Sequence, residues 1–191
     1  MSQKQMIPVH VQYRHVHLSQ ADADVLFGAG KLTERFELGH QYQHVCDQTV
    51  TVTGENDISL EQVRVFGPTR DVTQIELSPT EAFALGIDAP VRVSGDNLRS
   101  GSCKLSGPNG EVNLKSGVII SARHLHLSDR DASTLGLSHH QIVTLAPVGH
   151  PEEKIEFVSV RIHPTFTLSF HLTYDEASEF WLETGDEVVI L

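Results

Sequence analysis

The sequence predicts a mainly β protein built as two small β-barrels, capped by short helices and related by an internal repeat. Three observations predict it: segments recur at long spacing, strand-like alternation is frequent, and the helical stretches are short. RHVHLSQADADVLFG at 14–28 resembles RHLHLSDRDASTLG at 123–136. Each copy has Arg-His-x-His-Leu-Ser, then an acidic stretch with alanine, then Leu and Gly, and each follows an apolar run. A second pair, TQIELSPTEAFALG at 73–86 and TLSFHLTYDEASEF at 167–180, sets Glu76 opposite His171. The first half carries about 14 more residues between its His-x-His and this position, and they fall around 28–46, which has no clear β period.

Strands are expected at QTVTVTG (48–54), VRVFG (63–67), CKLSG (103–107), QIVTLAP (141–147), EFVSVRI (156–162) and DEVVIL (186–191). All alternate with period two and are rich in β-branched residues. GPNG (107–110) signals a hairpin turn, and Gly67-Pro68 a strand break. Helices are expected at 20–27 capped by Ser19, at 129–135 capped by Ser128, and at 81–85 capped by Ser78 or Thr80. Gly/Pro punctuation every ten or so residues, with few long helical periods, favours compact barrels.

The 191 residues suffice for one large domain or two small ones. No apolar run approaches the ~20 residues of a membrane span. The N-terminus has neither a secretory apolar region nor an Arg-rich leader, so a cytoplasmic start is the default and no membrane partner is expected. Cys46 and Cys103 are too few for a disulfide framework and are expected to be free. The formal net charge of −11 argues against nucleic acid, which needs a basic excess. An anionic small molecule would need a local positive site, from a metal or an arginine.

The 12 histidines are the compositional oddity, and they are not scattered. On a strand, His-x-His points both imidazoles to one face. Both halves do this, with His15/His17 and His124/His126. Histidine is a common neutral ligand for zinc, cobalt, nickel or iron. One such pair is weak evidence, whereas two in a repeated context point to metal. The aligned position adds Glu76 in one half and His171 in the other. Three ligands and an open position are usual for a catalytic zinc site. The rival readings are an exposed carboxylate and a core histidine. Arg70 lies just before the segment bearing Glu76. It is either a planar fork for phosphate or a surface arginine. Arg14 and Arg123 should face the other side of their strands, toward solvent or an inter-barrel pair. His40, His44 and Cys46 either form a third site or, the stronger reading, sit in a mobile loop. His139 and His140 read as turn residues, and His10, His150 and His163 have no nameable partner.

These segments resemble the PduL-type phosphotransacylases, also called phosphate propanoyltransferases. The resemblance rests on RHVHLS, FGPTRDVTQIELSPTEA, VRVSGD, LSGPNGEVNLKSGVIISARHLHLS and FHLTYDEA, which cover most of the chain in the family's order. It implies two barrels with a dimetal site, usually zinc, at their junction. It implies residues 14–121 as the first barrel and 122–191 as the second, with the strand at 3–13 pairing into the second. The implied ligands are His15, His17, Glu76, His124, His126 and His171, and the implied phosphate-binding catalytic arginine is Arg70. The implied cofactors are two divalent metal ions and the implied partners acyl-CoA, CoA and phosphate. Two departures stand out. Tyr13 replaces a smaller residue before the first His-x-His, and 28–46 matches poorly. Some relatives carry an N-terminal extension that targets a bacterial microcompartment. This chain starts almost at its first strand, so that association is not indicated. A homodimer is one form the sequence allows.

The expected reaction is acyl-CoA plus phosphate giving acyl phosphate plus CoA, with propanoyl or acetyl as the acyl group. Direct transfer is expected, because no Ser-His-Asp pattern or G-x-S-x-G occurs and neither cysteine sits in the motifs. The alternatives are a metal-dependent thioester or phosphoester hydrolase, and a non-catalytic zinc-stabilised barrel scaffold.

Overall fold

A computed structural model describes residues 5–38 and 43–191. The described elements begin with β1 (Ile7–Gln12), β2 (His15–Ser19), α1 (Gln20–Phe27), β3 (Glu34–Glu37), β4 (His44–Thr53) and β5 (Ser59–Arg70). Next come β6 (Gln74–Leu77), α2 (Pro79–Ala84), β7 (Val91–Arg92), β8 (Gly101–Ser106) and β9 (Glu111–Ser121). The last are β10 (His124–Leu127), α3 (Asp129–Leu135), β11 (Ile142–Pro147), β12 (Ile155–Ile162), β13 (Ser169–Thr173), α4 (Tyr174–Glu179) and β14 (Glu187–Ile190). The protein is mainly β, as the sequence predicts, and no described helix is long and apolar enough to cross a membrane.

The chain divides into two compact units. One is Tyr13–Ser121. Its ring runs β4-β5-β2-β6-β9-β8 and closes where β8 pairs with β4, with β3 and β7 added outside the ring. The other unit is Met1–Gln12 with Ala122–Leu191, whose closed barrel runs β1-β13-β10-β12-β11-β14. The two rings have the same plan. In each, the His-x-His strand lies parallel to one neighbour and antiparallel to the other: β2 between β5 and β6, β10 between β12 and β13. The strand before each His-x-His strand closes the other unit's ring. β1 precedes β2 yet pairs with β13 and β14, and β9 precedes β10 yet pairs with β6 and β8.

Each ring encloses its own apolar core. Val16, Leu18, Val63, Val65, Ile75 and Leu105 belong to one, and Ile7, Val9, Leu125, Val158, Phe170 and Val188 to the other. The four helices start alike. Ser19, Ser78, Ser128 and Thr173 each accept from the backbone N–H three residues on. In the last three the residue at that position, Glu81, Asp131 or Glu176, reaches back to complete a capping box, worth about 1 kcal/mol per cap. The second helix is thus capped by Ser78, not Thr80.

Several sequence expectations need correction. Gly67-Pro68 does not break β5, which runs through a cis peptide there and ends at Arg70. The 28–46 stretch contributes β3 and the start of β4. All four residues of β3 are exposed, so it buries no face and shows no alternation. His44 and Cys46 are strand residues, and the Cys46 side chain is in the core; His40 lies outside the described residues. Arg14 and Arg123 each have a partner within their own unit. Arg14 Nη1 lies 2.7 Å from Glu81 Oε1, and Arg123 Nη1 lies 3.6 Å from Glu176 Oε1, so each meets the capping-box glutamate of its own unit.

Ile7 is fully buried in the barrel that β1 closes. Ile7→Ala should cost about 2–4 kcal/mol of stability through lost burial and a residual cavity. Urea unfolding of the variant beside the parent checks this; an unchanged midpoint would mean that β1 does not close the barrel in solution.

Candidate metal centres

Alternation along two short strands places the candidate ligands. In HVHL and HLHL, Val16, Leu18, Leu125 and Leu127 enter the cores. His15, His17, His124 and His126 therefore take the opposite faces of β2 and β10, and all four are buried there. The antiparallel neighbour adds a third group. Glu76 stands opposite His15 and Gln74 opposite His17. His171 stands opposite His124 and Ser169 opposite His126. The structure thus brings the six residues into two triads, His15/His17/Glu76 and His124/His126/His171, with ligand atoms in each within 4.8 Å of one another. No other such group occurs among the described residues.

Hydrogen bonds fix the imidazoles. His15 Nδ1 lies 2.9 Å from the Tyr13 carbonyl oxygen and His124 Nδ1 lies 2.8 Å from that of Ala122. A carbonyl only accepts, so both Nδ1 atoms donate, and in the neutral ring the lone pair is then on Nε2. His171 is set the other way. The Ser169 hydroxyl donates to the Thr167 carbonyl at 3.1 Å, so it accepts from His171 Nε2 at 2.8 Å, leaving Nδ1 with the lone pair. Phe66 stacks on His15 at 4.3 Å and Phe166 on His126 at 3.7 Å between ring centroids, one aromatic wall per triad.

The electrostatics of the first triad ask for a cation. Glu76 is 3% exposed, and neither carboxylate oxygen has a well-formed hydrogen bond among the described residues. Its oxygens face His15 Nε2 at 3.7 Å and His17 Nε2 at 3.9 Å. Burial pushes the Glu76 carboxyl up, whereas the charge that protonation would put on His15 and His17, then Ser94 and Arg70, pull it down to about 2. Burial, then His15 and Arg70, hold the His17 imidazole well below 6.5, so it is neutral. An ionised carboxylate beside lone-pair imidazoles, away from water, is a donor set for a divalent cation. Ligands about 2.1 Å from a tetrahedral centre sit about 3.4 Å apart, close to the spacings here. The second triad presents three imidazoles, with His124 Nε2 and His126 Nε2 3.1 Å apart.

Arg70 adjoins the first triad, with Nη2 2.8 Å from His17 Nε2. Its Nη1 donates to Gln74 Oε1 at 3.2 Å and Ser94 Oγ at 3.1 Å. Arg70, Asp71, Val72, Gln74, Gly95 and Asn97 line a cavity of about 370 Å³. Gly67 serves this region by having no side chain: a Cβ there would lie 2.2 Å from His44 Nε2, so the His44 ring packs against the strand that ends at Arg70. Phe66, Phe166, Gln74 and Ser94 were missed by sequence reasoning. Gln74 was within reach, because it lies two residues before Glu76 on a strand and so shares its face.

Of the remaining histidines, His139 and His140 are in a turn. The His10 ring lies 4.9 Å from His171, and His163 packs against Phe166. His150 Nδ1 lies 3.3 Å from Glu152.

A family model described as phosphate propanoyltransferase matches residues 8–183. The chain belongs to the phosphate propanoyltransferase family. Within this family it is 41% identical to the phosphate propanoyltransferase of Thermotoga maritima, over 97% of this chain and 89% of that one. It is 38% identical to the one from Lachnoclostridium phytofermentans, over 97% of this chain and 87% of that one. It is 40% identical to the one from Citrobacter freundii, over 90% of this chain and 82% of that one.

Neither cysteine belongs to a triad. Both are buried and free; burial pushes the Cys46 thiol up and the Cys103 thiol to about 12. A chromogenic disulfide reagent at pH 8 should therefore find no fast thiol in the folded protein and two after denaturation. A fast-reacting thiol in the native protein would contradict the buried placement.

Proposed function

We propose that this chain is a phosphate acyltransferase that interconverts acyl-CoA plus phosphate with acyl phosphate plus CoA, with propanoyl or acetyl as the acyl group. The observation that carries this reading is a guanidinium placed 2.8 Å from a nitrogen of a buried His/His/Glu triad, in a member of the phosphate propanoyltransferase family. A basic fork beside a cation-fitting donor set suits a tetrahedral dianion.

His15, His17 and Glu76 would hold one divalent ion and His124, His126 and His171 a second, with zinc suited to both donor sets. Such an ion supplies Lewis-acid polarisation and a template for two substrates. The chain's own residues do the rest. Arg70 binds phosphate and offsets its charge, so that one anion can approach another, the CoA ester. Gln74 and Ser94 keep the fork in place. A phosphate oxygen then attacks the thioester carbonyl carbon, the C–O bond forms, the C–S bond breaks, and the departing sulfur takes up the proton that phosphate loses. Positioning of this kind supplies much of the acceleration. No acyl-enzyme is invoked, since both thiols are buried in the core and held protonated.

The test is thiol release from acetyl-CoA and propanoyl-CoA, with and without phosphate, before and after chelation and zinc restoration. Release that needs both phosphate and metal supports the transferase. Release without phosphate would make the chain a hydrolase. No release, with unfolding on chelation, would make it a zinc-stabilised scaffold.

Two variants sharpen the test. Arg70→Lys keeps the charge and loses the fork, and kcat/KM for phosphate should fall by about 10²-fold or more, given the worth of bidentate charge-assisted bonds. Glu76→Gln keeps shape and removes charge, and bound metal per chain, measured by mass spectrometry after dialysis, should fall by about one equivalent while the second triad keeps its ion. Unchanged metal content would rule out Glu76 as a required ligand.

A further inference from the structure

Three of the four helices end with the same motif, and one of the three departs from its residue preference. The Ile87 N–H donates to the Ala82 carbonyl after α2, Leu137 to Ala132 after α3, and Leu182 to Ala177 after α4, at 3.0, 3.0 and 2.9 Å. In this motif the residue before the donor takes the left-handed conformation, where a Cβ is strained and glycine is favoured. Gly86 and Gly136 fill that place after α2 and α3, with φ of 68° and 66°. After α4 it is filled by Trp181, at φ 54°. Trp181 is also 91% exposed, more than any other large hydrophobic residue described. Folding gains little from this side chain, because its Cβ strains the backbone and its indole stays in water.

Trp181 stands on the wall of a cavity of about 640 Å³, with Phe180 and Val148 also on the lining. Every lining residue lies within Ala122–Leu191, and none belongs to a triad. The lining has a sign as well. Glu153, Asp186 and Glu187 contribute to it, and none of the three has a salt-bridge partner among the described residues. Asp186 accepts the Glu183 N–H at 2.8 Å, a neutral donor that leaves its charge in place. The basic side chain on the lining, His150, lies 3.3 Å from Glu152.

We infer that this cavity, with Trp181 at its wall, docks a segment of a partner protein that presents lysine or arginine among apolar residues. The indole face is the best aromatic partner for a cation. The long stems of lysine and arginine cover apolar wall while their heads reach carboxylates. Charge decides against other occupants. A second copy of this chain, at a net charge of −11, would bring like charge to an acidic surface. Phosphate and CoA are anions and would be repelled from it, so the cavity is not a second place for the substrates. A free small cation among the carboxylates would leave the exposed indole in water, whereas a segment crossing the wall covers both. Tryptophan at the centre of such a contact is a frequent energetic anchor of protein interfaces.

Trp181 is the single tryptophan of the chain, so its fluorescence reports on the site directly. The probes are capped hexapeptides that alternate leucine with lysine, with arginine or with glutamate, titrated into the full chain. A lysine or arginine peptide should give a saturable blue shift that weakens with added salt, and the glutamate peptide should give none. The double variant Glu153→Gln with Glu187→Gln changes two exposed side chains and should weaken the basic peptide about fivefold or more. Trp181→Gly, read by calorimetry, should lose the basic peptide without lowering the thermal midpoint, since glycine adopts the backbone freely. A lowered midpoint would make Trp181 a packing residue and overturn the inference. An equal response to the glutamate peptide, or none to any peptide, overturns it too. Cadaverine shifting the emission as strongly as the basic peptides would make this a small-cation site instead. Peptide binding is read without substrates, so its outcome stands apart from the acyl-transfer reading.

Discussion

Side chains alternate along a strand, and on β2 and β10 that alternation alone separates core from site. In His15–Ser19 and His124–Leu127 the aliphatic residues are fully buried in the barrels, and the histidines between them take the other face. Every other part of each triad is referred to this geometry. The antiparallel neighbour brings Glu76 or His171 into register, the carbonyl two residues back orients the first imidazole, and an aromatic ring lies against one ligand. A one-residue slip of either strand would bury imidazoles among valines and leucines and turn the aliphatic residues outward. The core therefore guards the register of the site, and the energy that does so is hydrophobic.

The halves share a plan but not a charge. At the same register position one has a carboxylate and the other an imidazole. A divalent ion among His15, His17 and Glu76 would have one of its charges offset by the protein, whereas three imidazoles would offset none. The groups two residues earlier also diverge, since Gln74 holds the arginine and Ser169 holds a ligand. The repeat supplies equivalent places, and different chemistry has come to occupy them.

The sequence makes some of this legible and hides the rest for physical reasons. The mainly β fold, the helix caps and the two His-x-His pairs are local patterns with a fixed period, so they can be read without coordinates. Glu76 and His171 could be paired because the repeat transfers position. Gln74, Ser94 and the two phenylalanines gain meaning only through contacts across strands. β3 is invisible to periodicity because all its residues face water. The partners of Arg14 and Arg123 needed the helices: the glutamates that complete the capping boxes of α2 and α4 turn out to receive the arginines as well.

The exchange of β1 and β9 also dictates an order of events. As the polypeptide leaves the ribosome, everything required to close the ring of Tyr13–Ser121 has been made once Ser121 emerges. The other barrel is different. Its β1 is synthesised before every other described strand, while β13 and β14, between which it must fit, come after all the rest. Ile7, Val9 and Val11 must therefore be kept waiting, apolar and unpaired, while the strands between are translated. Maturation of the second triad would then trail that of the first, and the vulnerable interval for aggregation is the one in which β1 has no barrel to enter.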